Sequence, residues 1–92
     1  MNLCLVQNRQ QTPGRAQLIF ADNVKRTRKL RGYTQQQLAD RAQLESSYVS
    51  SVERGIRDIT ICNMERIAIA LDVTVRDLVS EVHSGDVAND QP

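Results

Sequence analysis

The 92-residue sequence predicts an all-α domain of five short helices. Three observations carry that expectation. Apolar residues recur at spacings of three and four through the middle of the chain, the period of a helix. Helix start and stop signals divide that stretch into segments separated by two to five residues. Phe and Tyr together supply only three residues and there is no Trp, so the core must be aliphatic. A chain of this length forms one domain and buries only about 60–65% of its unfolded surface, which makes its core limited.

Residues 1–17 show no sustained period, and "QNRQQTPGR" is rich in breakers and amides, so they read as a loose arm. Within it, "NLCLV" is at most a weak edge strand. The first helix is expected over 18–30, where Phe20, Val24 and Thr27 share a face and Gly32 stops the last turn. Thr34 and Gln37 open the second as a capping box, with Tyr33 and Leu38 as a hydrophobic staple. Its inward stripe is Leu38, Ala39 and Ala42, small enough to admit a close neighbour. After Gln43-Leu44 a third helix is expected over about 46–54, ended by Gly55. The fourth starts at Thr60 with the stripe Met64, Ile67, Ala68 and Leu71. The fifth repeats the start device with Thr74 and Asp77, stapled by Val73 and Leu78. The domain is thus expected over 18–82, with 83–92 a polar tail.

Net charge is +1 but unevenly placed. Residues 1–57 carry ten Lys/Arg and four Asp/Glu, net +6, and residues 58–92 carry two and seven, net −5. The asymmetry suggests a polyanionic partner for the first half, against the plainer alternative of two solvated faces. Other classes are disfavoured. Cys4 and Cys62 form no CxxC pair and read as reduced thiols of a cytoplasmic protein. No apolar run approaches the length of a membrane span, and the N-terminus lacks a signal-peptide core. His83 lies in the tail, and no carboxylate cluster, phosphate loop or nucleophile–base arrangement is visible. An enzyme, a cofactor, a metal site and a small-molecule ligand are therefore not expected.

Two helices joined by three or four residues make a helix-turn-helix unit, here about 34–54, whose second helix can enter the major groove of DNA. On a helical wheel of the third helix, Val49 and Val52 point inward with Tyr48 and Glu45 flanking. Ser47, Ser50, Ser51 and Arg54 point outward, and Ser46 lies at the edge. Short hydroxyl side chains fit a groove about 12 Å wide and can donate or accept at base edges. The alternative is a merely solvated face.

These residues carry a resemblance. "TQQQLADRAQLESSYVSSVERGIRD" resembles the Cro/CI-type (Xre-like) phage-repressor helix-turn-helix family, a lambda-repressor-like five-helix fold, and "MERIAIALDVTVRDL" is similar to its fourth and fifth helices. The resemblance implies a phosphate contact at Gln35, base-edge contacts from Ser46, Ser47 and Ser51 with Ser50 beside them, and a shared packing and DNA role for Tyr48. It also implies that Arg54 and Arg57 grip the backbone in the following loop. It further implies a salt bridge between Arg28 and Glu53 that locks the first helix to the third. An inward-facing arginine on the first helix's stripe needs such a partner in any case.

The sequence departs from the family pattern at three places. Gln43 stands where glycine is common in the turn, Glu45 replaces a Ser/Thr cap, and Ile59 replaces a proline before the fourth helix. The stretch "RGIRDITICNMERIAIALDV" is most similar to controller proteins of restriction–modification systems. The expected function is a transcriptional regulator that binds operator or promoter DNA as a homodimer. Ile61, Ile69, Val75, Val79 and Val82 on the fourth and fifth helices are either its dimer surface or extra core. The arm could also embrace a partner or reach a groove through Arg9 and Arg15. The rival readings are an antitoxin that binds a protein toxin, and an interaction module that has lost DNA.

Overall fold

Five helices follow one another through residues 14–81, the part of the chain that the computed structural model describes. They are α1 (Arg15–Arg31), α2 (Gln35–Ala42), α3 (Ser46–Glu53), α4 (Ile61–Leu71) and α5 (Val75–Val79). The NLCLV run and Arg9, and Val82 and the tail with His83, lie outside the described residues. None of the described helices is long and apolar enough to cross a membrane.

The helix starts follow the capping chemistry. Thr34 Oγ1 accepts from the Gln37 N–H at 3.0 Å while Gln37 Oε1 accepts from the Thr34 N–H at 2.9 Å, a complete capping box. Thr74 and Asp77 form the same device before α5. The Asp77 carboxyl is held below its ordinary range, chiefly by the Thr74 backbone N–H, then by the Thr74 hydroxyl. Thr60 Oγ1 accepts from the Asn63 N–H and opens α4. α1 begins at Arg15, three residues before the expected start. Its first residues, Arg15 and Ala16, are exposed and belong to no apolar stripe, so periodicity did not reach them. Arg15 accordingly belongs to the helical body and not to an arm; it pairs with Glu81 at 2.6 Å on the surface.

The helix ends share one geometry. α1 through α4 each end in a residue with positive φ: Gly32 at 79°, Gln43 at 61°, Gly55 at 74° and Asp72 at 62°. At each end the next residue's N–H reaches back to the carbonyl five positions earlier: Tyr33 to Arg28, Leu44 to Ala39, Ile56 to Ser51 and Val73 to Ala68. These are Schellman stops. Gly32, Gly55 and Gln43 were expected to mark stops or a left-handed turn; Asp72 was not. α3 stops at Glu53, one residue short of the expected end, with Arg54 as its cap residue.

One core joins the helices. Phe20 and Val24 of α1, Leu38, Ala39 and Ala42 of α2, Val49 and Val52 of α3, Ile67, Ala68, Ala70 and Leu71 of α4, and Leu78 of α5 form a single buried cluster. Tyr33, Ile59, Met64 and Val73 close its edges. α3 packs chiefly against α1 and α2, which leaves its Ser47 side open.

Polar side chains finish the backbone accounting at two further ends. The last four carbonyls of α4 are all satisfied. Ala68 and Ile69 accept from the turn's N–H groups. Ala70 accepts from Arg41 Nε at 3.3 Å and Leu71 from Arg31 Nε at 2.8 Å. Two guanidinium groups thus stand at the negative end of the helix dipole. Asn23, 1% exposed, donates through Nδ2 to the carbonyls of Leu78 and Ser80, both at 2.9 Å, and so ties the end of α5 to α1.

Candidate nucleic-acid interface

The helix-turn-helix unit is α2, the turn Gln43–Glu45 and α3. The turn works because Gln43 accepts the left-handed conformation that would suit glycine. The Leu44 N–H then closes on Ala39 at 2.8 Å, and Leu44 turns back onto the core. Glu45 occupies the N-cap of α3 in extended conformation, but its side chain makes no capping bond. Its carboxylate is one methylene too long to fold back onto the N2 or N3 amide as Ser, Thr or Asp would.

Val49 and Val52 are buried, and the wheel's outward set lies on the open side of α3. Ser47 is exposed; Ser46, Ser50 and Ser51 are half-buried. Arg54 and Arg57 are exposed at the helix end and in the loop that follows. The four short hydroxyls thus share α3 with one guanidinium at its C-terminal end, Arg54, and a second, Arg57, against Tyr48 in its first turn.

Tyr48 is half-buried, and its position has causes that the sequence did not display. Its hydroxyl accepts from Asn63 Nδ2 at 3.1 Å. The Arg57 guanidinium lies over its ring, 4.9 Å from the centroid. Tyr48 thereby connects α3 to the first turn of α4 and steadies the loop arginine. Together with Gln43, Leu44, Glu45 and Ser47, these two residues line an open groove at the start of α3. The loop is fixed from behind as well: Gln17 Nε2 donates to the Gly55 carbonyl at 2.9 Å.

Behind the face lies the charged constellation. Arg28 Nε donates to Glu53 Oε2 at 2.7 Å, Arg28 Nη2 to Glu53 Oε1 at 3.1 Å, and Arg28 Nη1 to the Tyr33 carbonyl at 2.8 Å. The Glu53 side chain is 1% exposed. Gln35 joins the same carboxylate, Nε2 to Oε1 at 3.0 Å. Its amide is therefore held from inside, and its remaining N–H and carbonyl oxygen are what it can offer outward. Sequence reasoning placed Arg28 with Glu53 and set Gln35 apart; the structure brings all three together. It missed Asn23, Gln17 and Asn63. Asn23 could have been found: an amide three residues after Phe20 and four before Thr27 lies on the core stripe.

Fold and site together define a helix-turn-helix domain whose third helix presents an open polar face with guanidinium groups at its border. The chain belongs to the helix-turn-helix family, whose model matches residues 24–78. It is 35% identical over 66 residues to the HTH-type transcriptional regulator SinR of Bacillus subtilis, a match covering 71% of this chain and 60% of SinR. The chain thus spans about three fifths of that relative's length. Among solved structures, the restriction-modification controller protein C.AhdI of Aeromonas hydrophila matches with a TM-score of 0.66 at 35% identity, over 67% of this chain and 94% of that one. SinR in complex with DNA matches with a TM-score of 0.64 at 34% identity, over 66% of this chain and 98% of that one. These relatives are regulators and not enzymes.

Proposed function

We propose that the protein is a sequence-specific DNA-binding transcriptional regulator that acts at operator or promoter DNA as a homodimer. The observation that carries the reading is the open side of α3, where four serines lie with Arg54 and Gln35 near the helix C-terminal end and Arg57 against Tyr48 near its start. The likeness to SinR, whose structure is a complex with DNA, supports DNA as the partner. Gln35 and the free N–H groups at the start of α2 take a phosphate on one side of the groove. Arg54 and Arg57 take further phosphates along the same backbone contact. Ser46, Ser47, Ser50 and Ser51 lie at base edges, with Tyr48 at the margin of the contact. The Arg28–Glu53 pair orients α3 from within.

One such unit covers few base pairs, and a symmetric pair on half-sites about one DNA turn apart multiplies the contact. Ile61 and Ile69, about 70% exposed on α4, and Val79 on α5 remain uncovered in the single chain and are the candidate dimer surface. Val75 packs against the core instead. The likeness to a restriction-modification controller protein favours a role of that kind over the antitoxin and interaction-module alternatives.

Selection from a randomised duplex library, followed by gel-shift titration of the selected duplex at several salt concentrations, tests the reading. Arg54→Ala and Gln35→Ala should weaken binding to every duplex, and Arg54→Ala should also reduce the salt slope by about one counterion, whereas the uncharged Gln35 should leave the slope unchanged. Ser47→Ala should change preference at one position. A flat salt response, or equal losses from all three changes on every duplex, would contradict it.

A further inference from the structure

The four Schellman stops differ in one respect. In this motif the residue after the left-handed position ordinarily rests its apolar side chain on the last turn of the helix. Tyr33 after α1, Leu44 after α2 and Val73 after α4 all pack against the core. Ile56 after α3 does not. It is 60% exposed, although its N–H makes the same backward bond to Ser51, at 3.2 Å. The reason lies in what the last turn of α3 offers. At the positions where Ile56 would find its apolar partner stand Ser51 and Ser50, the two serines of the open face. The motif therefore sets a branched aliphatic group against the end of a hydroxyl-lined surface, between Arg54 and Arg57.

An exposed isoleucine there is poorly matched to water and to phosphate. On a DNA surface its complement is the C5-methyl group of thymine, the one apolar feature that the major groove presents. We propose that Ile56 is a specificity-determining residue that selects thymine at one position near the margin of each half-site, by burying the thymine methyl against its side chain. The proposal rests on the DNA-binding reading and deepens it. It adds an apolar discriminator beside serines, whose hydroxyls discriminate weakly because they both donate and accept. Arg54 and Arg57, on either side of it in the chain, bring the loop against the DNA backbone and with it Ile56.

The test is a thymine-to-deoxyuridine scan of the selected duplex, which removes one methyl at a time and leaves base pairing intact. Binding is measured by gel shift for the unmodified protein and for Ile56→Ser. At one thymine per half-site, the unmodified protein should lose about fourfold in affinity, from about 0.8 kcal/mol per buried methyl-sized group and tenfold per about 1.4 kcal/mol. At that same position Ile56→Ser should bind the two duplexes equally, and at every other position the two proteins should respond alike. The thermal midpoint of Ile56→Ser should match that of the parent, since the side chain lies outside the core. If it falls, Ile56→Val carries the same comparison with a smaller step. A methyl response that persists in the variant, or an equal loss on thymine and deoxyuridine duplexes, would overturn the proposal and leave the DNA-binding reading standing. Failure of the selection to yield any bound duplex would remove both.

Discussion

The Glu53 carboxylate receives Arg28 Nε at 2.7 Å, and the pair is sealed between α1 and α3, with Arg28 also bonded to the Tyr33 carbonyl and Gln35 to the same carboxylate. The buried charge has all its bonds made, which is the condition under which such a pair persists. Removing one partner is then severe. Glu53→Ala or Arg28→Ala should cost about 3–5 kcal/mol, because each leaves an uncompensated charge in the interior. In a domain of this size that is enough to unfold much of the population.

The double change Arg28→Met with Glu53→Leu separates stability from orientation. It should restore most of the urea midpoint, since apolar groups of similar volume often replace a buried pair without loss. DNA affinity should stay low, because the angle of α3 and the hold on Gln35 would both be gone. Full recovery of affinity in the double variant would show that the pair contributes stability alone.

Asn23 makes a second prediction from α1. Its amide is the donor for two carbonyls at the end of α5. Asn23→Ala should destabilise by about 2–3 kcal/mol, the cost of leaving buried carbonyls without donors. Asn23→Leu, close in size, should not recover the loss. Hydrogen exchange would localise the effect, with protection falling first at the Leu78 amide. A leucine variant as stable as the parent would make Asn23 a packing residue only.

How far the sequence displayed these features depended on whether a signal was local. The capping boxes at Thr34 and Thr74 need only a residue and its neighbour three positions on, and both were legible. The core stripes were legible because burial follows helical period. Arg28 stood out as a charge on an apolar stripe, and Glu53 was named as its partner through the family resemblance. Asn23, Gln17, Arg31 and Arg41 were not legible as caps. Each reaches a backbone carbonyl 29 or more positions away, and a backbone carbonyl leaves no trace in residue identity. The start of α1 was missed because its first residues face solvent and follow no period. The stop at Asp72 was missed because acidic residues rarely advertise a left-handed conformation, and glycine was the signal sought.

The positive-φ positions predict opposite signs of stability change. Gly32→Ala and Gly55→Ala should each lose about 1–2 kcal/mol, the penalty for a Cβ in left-handed backbone. A methyl at Gly32 would meet nothing within 4 Å. One at Gly55 would meet Leu18 Cδ2 at 2.8 Å, the end of a side chain 48% exposed and able to swing aside. The two losses should therefore be similar. Gln43→Gly should instead gain up to about 1 kcal/mol by relieving the same strain in the turn. Thermal midpoints of the three variants decide the matter. A much larger loss at Gly55 would mean that Leu18 is held in place.

Glu45 combines stability and recognition at one position. As the N-cap of α3 it makes no capping bond, and its charge lies at the end of the helix that would enter DNA. Glu45→Asp keeps the charge and shortens the side chain to capping length, so it should gain about 1 kcal/mol in stability with DNA affinity unchanged. Glu45→Thr also supplies a cap but removes the charge. It should gain less, because an acidic group at a helix N-terminus is itself worth about 0.3–1 kcal/mol. It should bind DNA several-fold more tightly at low salt, with the advantage shrinking as screening rises. Urea denaturation measures the first effect and gel shifts across a salt series the second. If Glu45→Thr binds the selected duplex more weakly than the parent, the carboxylate is accepting from a cytosine N4 amino group. Glu45 would then be a reader of sequence, and its missing cap the cost of that role.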